Sequence, residues 1–229
     1  MPVFTEEVVN QLLGIDDAFK APTKLMQILM DKPQREGLFR QFLAISTDVS
    51  FDWFHEYFED EQAQRKTKKQ DFTPEAVAKV LTRLTTGSHS NYDIAAGTGG
   101  ITIAKWWHDC LSVPFWDYRP SSYLYQCEEL SDRAMPFLLF NLAIRGINAI
   151  VIHGDSLERE VKQVYFVQND YDDVLHFSSI NVMPHSKIVA KEFNIHKWLE
   201  PAKNHIESTE LSGSVADMIY MMTGGRHVK

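Results

Sequence analysis

The chain has 229 residues, a formal net charge of −8 and 44% hydrophobic residues, values that are typical of globular proteins. The acidic balance disfavours a domain that binds nucleic acid without a basic patch or a partner, and no run approaches the roughly 18 apolar residues of a membrane span. Cys110 and Cys127 form no metal-type pair, and the amino terminus lacks the features of a secretion signal. These features predict a cytoplasmic protein.

The first part of the chain carries apolar side chains at helical spacing, which predicts a helical domain over residues 1–70. Pro33 suits the first turn of one helix, and Ser50 suits the N-cap of the next. The basic run 65–69 indicates a solvated linker, with a phosphate contact as the alternative. A second domain is therefore predicted over residues 71–229.

Strand and helix signals alternate after a helix that begins at Thr73. Such alternation predicts an α/β fold with a mainly parallel, Rossmann-like sheet and helical crossovers. Pro136 lies inside the helix predicted over 131–146, so that helix is expected to be kinked or to begin later. The predicted strands are 91–95, 121–130, 148–155 and 171–177.

Candidate ligand-binding residues follow the first three predicted strands, at the end of a doubly wound sheet where ligands bind. The turn "AAGTGG" after the first strand leaves room for a ligand, but it is neither a Walker A loop nor a GxGxxG motif. Glu128 and Glu129 end the second strand, where one carboxylate can accept both hydroxyls of a ribose. Asp155 ends the third strand, where it can accept from an exocyclic amine or cap a helix.

The order of these motifs carries a family resemblance. "DFTPEAVAKVL", "YDIAAGTGG", an acidic strand end and "GDSL" occur in succession, and this order resembles the modification subunit of type I restriction-modification systems. Members of that family are N6-adenine DNA methyltransferases that use S-adenosylmethionine. The resemblance covers about residues 50–180 and implies a Rossmann-like methyltransferase domain behind a helical one.

The resemblance also implies a set of cofactor-binding residues. The FTP motif would lie against the cofactor, and the first strand end with its turn would hold the methionine part. Glu129 would take the ribose hydroxyls, because Asn141 follows it at the family spacing, and Asp155 would contact the adenine. The implied residues are Phe72, Thr73, Asp93, Ala95, Gly97, Thr98, Gly99, Glu129 and Asp155.

The family's catalytic tetrapeptide, N-P-P-F/Y, is not conserved in the aligned segment. In the family the flipped adenine stacks on the aromatic residue, and the asparagine binds its amine. The corresponding residues here are Phe177, Ser178, Ser179 and Ile180, none of which matches. "NVMP" at 181–184 restores only an asparagine and one proline. Because positioning the amine is most of the catalysis, methyl transfer is expected to be very weak or absent.

The sequence also predicts an incomplete sheet, since only four strands are found where the family domain has seven. An open edge would then be covered by a partner chain, by self-association or by segment 185–205. The first hypothesis is an S-adenosylmethionine-binding modification-type protein that reaches DNA through a specificity partner. The second is an inactive homologue that regulates or competes with a complete modification subunit. The third is a structural module with a vestigial pocket.

Overall fold

A computed structural model describes residues 3–58 and 90–208 of the chain. Its amino-terminal part is helical, as predicted, and Asp31 and Pro33 begin the third helix. The next helix begins at residue 55, so the predicted Ser50 cap is wrong. Ser50 Oγ instead donates to Asp48 at 2.6 Å. The first three helices are α1 (Glu6–Leu13), α2 (Ala21–Leu29) and α3 (Lys32–Ile45), with a 3₁₀ turn at Ala18–Lys20.

The rest of the described chain builds one mixed sheet with helices on its faces. The strands are β1 (Ser90–Asp93), β2 (Leu124–Glu129), β3 (Ala149–Asp155), β4 (Glu160–Gln168), β5 (Ser179–Val182) and β6 (Lys197–Trp198). The helices are α4 (Gly100–Leu111), α5 (Met135–Ile144) and α6 (Lys187–Glu192). The strand order is β1-β2-β3-β4-β5, and β6 pairs with β4. Strands β1, β2 and β3 are parallel, and α4 and α5 connect them, which confirms the predicted α/β, Rossmann-like fold.

The fourth predicted strand, residues 171–177, is wrong, because these residues form a looped turn. The chain folds back directly after β3 instead, and Arg159 takes a positive φ of 58° in that turn. The strand that follows, β4, was not predicted and runs antiparallel to β3. Asn169 then ties the loop down, since its amide donates to the carbonyls of Asp173 at 2.8 Å and His176 at 3.2 Å.

Helix α5 is the centre of the main hydrophobic core, and all of its residues are buried. One side packs on the sheet face that carries Val151 and Tyr165, and α2 packs against it as well. The helix begins late, at Met135, with Pro136 in its first turn, which was one of the two predicted outcomes. A smaller cluster on the other sheet face joins Ile152 to α6. The predicted domain boundary at residue 70 lies outside the described residues.

Segment 185–205 covers the β4 and β5 side of the sheet. Its strand β6 pairs with β4, and Val182 N–H donates to the carbonyl of His205 at 2.7 Å. Within residues 3–58 and 90–208, the outer edge of β1 pairs with no strand. No helix in these ranges is long and apolar enough to span a membrane.

A buried ion pair joins α3 to the end of the described chain. Arg35 is fully buried, and it donates to both carboxylate oxygens of Glu207 at 2.7 and 2.5 Å. Burial alone would raise the pKa of Glu207, but the Arg35 hydrogen bonds and charge outweigh it and lower that pKa. The pair therefore stabilises the fold above the ordinary carboxyl pKa, and this contribution is lost as the pH falls through the lowered value.

We expect Glu207→Gln to lower the free energy of unfolding by about 3–5 kcal/mol, because it leaves the Arg35 charge buried without its counter-charge. Urea denaturation of the variant checks this. The matched control is Glu36→Gln, which removes a solvent-exposed pair with Arg40 and should cost at most about 0.5 kcal/mol. Equal losses of unfolding free energy in the two variants would contradict the larger stabilising role of the buried pair.

Candidate functional site

The glycine turn between β1 and α4 has the backbone conformation that its sequence suggests. Gly97 and Gly99 adopt positive φ angles of 58° and 99°, a region that side chains with a Cβ rarely enter. Gly99 precedes α4 directly, and the turn is fixed to β2 because Ala96 N–H donates to the carbonyl of Glu128 at 3.0 Å. The turn therefore brings backbone N–H groups to the carboxyl end of the sheet.

Side chains from two other parts of the chain, one half-buried and one buried, hold this turn. The Asp52 carboxylate accepts from the Thr98 hydroxyl and from the Asn141 amide, the latter at 2.7 Å. The same amide donates to the Thr98 carbonyl at 2.8 Å. Because Thr98 and Asn141 are buried, these bonds are shielded from water and fix the turn to α5.

Arg145, one turn further along α5, anchors the segment that carries Asp52. It donates to the carbonyls of Val49 at 2.8 Å and Phe51 at 2.5 Å, and it lies over the Trp53 ring. Burial lowers the pKa of Arg145 to about 10, although the nearby Asp52 charge opposes that shift. The guanidinium therefore stays charged at neutral pH and neutralises the carboxylate beside the turn.

A cavity of about 420 Å³ opens above this turn, at the carboxyl ends of β1, β2 and β3. Three carboxylates line it, those of Asp52, Glu129 and Asp155, and no lysine or arginine among the described residues does so. Its apolar rim contains the exposed side chains of Ile94, Leu130 and Leu157. The described lining therefore combines carboxylates with apolar surface.

The two neighbouring glutamates at the end of β2 have different surroundings. Glu129 lines the cavity, and its carboxylate accepts from the N–H groups of Gly97 and Ser131, both at 2.7 Å. Glu128 is buried away from the cavity lining and pairs with Arg159 at 2.7 Å and with the Tyr92 hydroxyl at 2.5 Å. Alternation along the strand explains the difference.

The other two predicted carboxylates also make local hydrogen bonds. Asp155 lines the cavity, and its carboxylate accepts from the N–H groups of Leu157 at 2.8 Å and Glu158 at 3.0 Å. These bonds lower its pKa. Asp93 lies beneath the turn and outside the described lining, and burial raises its pKa. It accepts from Thr102 at 3.4 Å, so it supports the turn from below.

Five of the residues predicted at this site line the cavity together: Ala95, Gly97, Thr98, Glu129 and Asp155. Gly99 supports the turn through its conformation instead. A Cβ on it would lie 2.9 Å from Leu138 Cδ1, so its role is close packing. Phe72 and Thr73 lie outside the described residues.

Segment 177–180, which aligns with the family's catalytic tetrapeptide, lies at the other end of the sheet. Ser179 pairs with Gln168, next to the pairing of Val167 with Ala149 at the start of β3. The cavity lies at the other end of β3, at Asp155, six residues further on. At about 3.3 Å per residue the separation is roughly 20 Å.

The side chains of this segment serve the fold. Phe177 packs edge-on against Phe39, Ser178 Oγ donates to the Ile147 carbonyl at 2.9 Å, and Ile180 is fully buried. Ser179 Oγ donates to Asp170 and accepts from Lys32. The asparagine of "NVMP", Asn181, accepts from the N–H groups of residues 207 and 208 at 2.8 and 2.9 Å, and so it too is structural.

Two lining residues, Asp52 and His55, were missed from the sequence. Both lie in the amino-terminal part, where the apolar pattern indicates only helices. Asp52 meets Thr98 across 46 residues and Asn141 across 89 residues. No local motif links such distant residues, so periodicity and spacing give no signal for them.

The parallel β1-β2-β3 unit, its glycine turn and a cavity at the carboxyl strand ends define a doubly wound α/β protein of the Rossmann-like class. Residues 47–216 match the N-6 DNA Methylase family. This match covers most of the chain, and the chain belongs to that family.

No curated protein matches the chain. Among solved structures, the type I restriction-modification methyltransferase subunit from Streptococcus thermophilus aligns with a TM-score of 0.35 and 15% identity. That alignment covers 100% of this chain and 53% of the subunit, so the chain spans about half the subunit's length.

We expect Gly99→Ala to lower the free energy of unfolding by about 2–4 kcal/mol, since it adds a positive-φ cost to a clash with the buried Leu138. The matched control is Gly14→Ala at a φ of 65°, where an added Cβ meets nothing within 4 Å. That variant should lose about 1–2 kcal/mol from backbone strain alone. Thermal and urea denaturation measure both, and equal losses would contradict the packing role of Gly99.

Proposed function

We propose that the cavity binds S-adenosylmethionine. The observation that carries the proposal is its charge: three carboxylates and no described lysine or arginine line a nucleoside-sized cavity at the strand ends of a Rossmann-like sheet. Dinucleotides and nucleoside triphosphates carry phosphates, for which the described lining offers no lysine or arginine side chain. S-adenosylmethionine has a nucleoside, no phosphate and one net positive charge, and it is the methyl donor that an N6 methyltransferase family uses.

The lining residues fit the parts of this cofactor. Gly100 and Ile101 at the start of α4 line the cavity, and the N–H groups of a helix N-terminus suit the methionine carboxylate. Glu129 lies at the end of β2, where a carboxylate suits the ribose hydroxyls. Asp155 and the apolar rim at Leu157 suit the adenine ring. Phe72, Thr73 and Asp93 remain proposed contacts or supports of the same site.

We further propose that the chain acts in a type I restriction-modification assembly and reaches DNA through a specificity or modification subunit. The order of the FTP, GTGG and GDSL motifs supports this assignment within the N-6 DNA Methylase family. The net charge of −8 supports DNA contact through a partner, because phosphate binding requires basic surface.

Calorimetry with S-adenosylhomocysteine tests the cofactor proposal. We expect saturable binding by the wild type and at least about tenfold weaker binding by Glu129→Gln, because a charged acceptor for the ribose hydroxyls is lost. ATP and NAD should not compete. Absence of binding by the wild type would overturn the proposal.

Glu128→Gln is the matched control, since Glu128 adjoins Glu129 but pairs with Arg159 outside the cavity. This variant should be less stable to heat and retain an affinity within about threefold of the wild type. An equal loss of affinity in both variants would mean that the strand end, and not the Glu129 carboxylate, matters for binding.

A second candidate function is a catalytically inactive homologue that binds the cofactor and regulates or competes with a complete modification subunit. The observation that favours it is the location of residues 177–180, roughly 20 Å from the cavity at the other end of β3. The same segment is held there by buried contacts of Ser178 and Ile180.

Transfer of a labelled methyl group from S-adenosylmethionine to unmethylated duplex DNA, measured with and without a specificity subunit, separates the two candidates. Transfer that appears only with the specificity subunit supports the first candidate. We expect the chain alone to give no transfer above background, because positioning of the adenine amine is lost. If the chain is an inactive homologue, it should also reduce methyl transfer by a complete modification and specificity assembly. Robust transfer by the chain alone would refute that candidate.

A further inference from the structure

A second cavity, of about 300 Å³, lies beside the first. It is bounded by α2, residues 132–136, β3, β4 and residues 200–203. Segment 131–136 separates the two cavities, since Ala134 lines the first while Asp132 and Pro136 line the second. Neither the family motifs nor the proposed cofactor contacts involve this second cavity.

One buried polar group at this cavity lacks a hydrogen-bond partner within the described chain. Tyr165 is fully buried, and its hydroxyl is unpaired. His153 beside it is 6% exposed, and its Nε2 lies 3.0 Å from Asp132 Oδ1, within hydrogen-bond distance. Buried polar groups are almost always paired, so the orphaned Tyr165 hydroxyl indicates a missing partner.

The sheet explains why these groups occur together. Tyr165 pairs with Val151, and His153 follows Val151 by two residues on the same strand. Side chains two residues apart share a sheet face, so Tyr165 and His153 both face α2 and α5. Gln163 fixes the overlying segment, because its amide donates to the Pro201 carbonyl at 2.8 Å.

The charges around the cavity are balanced. Asp132 forms an ion pair with Lys162, and Glu200 and Lys203 both line the opening. Burial lowers the pKa of His153 to about 4 and raises that of Tyr165, so both groups are neutral at pH 7. A phosphate would meet two carboxylates and a polyamine would meet two ammonium groups, so an uncharged ligand is favoured.

We propose that this second cavity binds an uncharged, hydroxyl-rich ring: a sugar, either as a free monosaccharide or as the ribose of a nucleoside. Hydroxyl groups both donate and accept, so one ring can pair with the Tyr165 hydroxyl, the His153 imidazole and the carboxylates at the opening. A volume of about 300 Å³ is at the lower end of ligand cavities and suits one ring. The proposal is independent of cofactor binding in the first cavity.

The test is an NMR titration that follows the His153 ring signals, assigned with His153→Gln. The probes are D-ribose, D-glucose and adenosine, with inorganic phosphate and spermidine as charged comparators. We expect saturable shifts with at least one sugar-containing probe and none with the comparators. Shifts with ribose or glucose identify a free sugar, and shifts with adenosine alone identify a nucleoside. Shifts with phosphate or spermidine alone, or with no probe, would overturn the proposal.

Tyr165→Phe removes the orphaned hydroxyl and should weaken binding about fivefold to tenfold, the effect of one hydrogen bond. Its stability should be unchanged or higher, because the hydroxyl has no partner within the protein. The matched control is Tyr57→Phe, which removes a hydroxyl that donates to Asn10 at 2.9 Å outside this cavity. That variant should lose stability and keep its affinity for the probe.

Glu129→Gln distinguishes the two cavities. A probe that occupies the second cavity should bind this variant as well as it binds the wild type. A probe that loses affinity in Glu129→Gln but not in Tyr165→Phe occupies the first cavity, and this result would overturn the second site. Unchanged binding in Tyr165→Phe would mean that water alone satisfies the orphaned hydroxyl.

Discussion

The half-buried hydrogen bonds of Asp52 are the constraint on which the candidate site depends. Asp52 binds Thr98 of the glycine turn and Asn141 of α5, and Arg145 supplies the counter-charge nearby. Without these bonds the turn would be held mainly by its own backbone. Helix α5 is buried on all sides between the helices and the sheet. Hydrogen bonds to α5 therefore fix the turn to the rigid main core.

The sheet imposes a second constraint through the reversal after β3. The hairpin at Arg159 makes β4 antiparallel to β3. Strand β5 is antiparallel to β4, so it runs parallel to β3 from Ser179 towards the cavity end of the sheet. Segment 177–180 is separated from the cavity because it lies at the start of β5, level with the start of β3.

The cavities also differ in how their polar groups are satisfied. In the first, Glu129 and Asp155 already accept from backbone N–H groups of the adjoining turns, so the cavity keeps its shape through its own bonds. In the second, the Tyr165 hydroxyl has no such partner. The first cavity is formed by loops whose own hydrogen bonds fix its shape. The second lies between packed helices and strands, and it contains a hydroxyl without a hydrogen-bond partner.

The sequence by itself determined the local features: the helical amino-terminal part, the first three strands, the glycine turn, and the strand ends that carry Glu129 and Asp155. These follow from side-chain periodicity and from backbone preferences within a few residues. Only the tertiary structure decided that β4 runs antiparallel, that residues 171–177 form a loop tied by Asn169, and that Asp52 reaches the turn. These outcomes depend on contacts between residues that are far apart in the sequence. A short sequence pattern gives no information about the energies of such contacts.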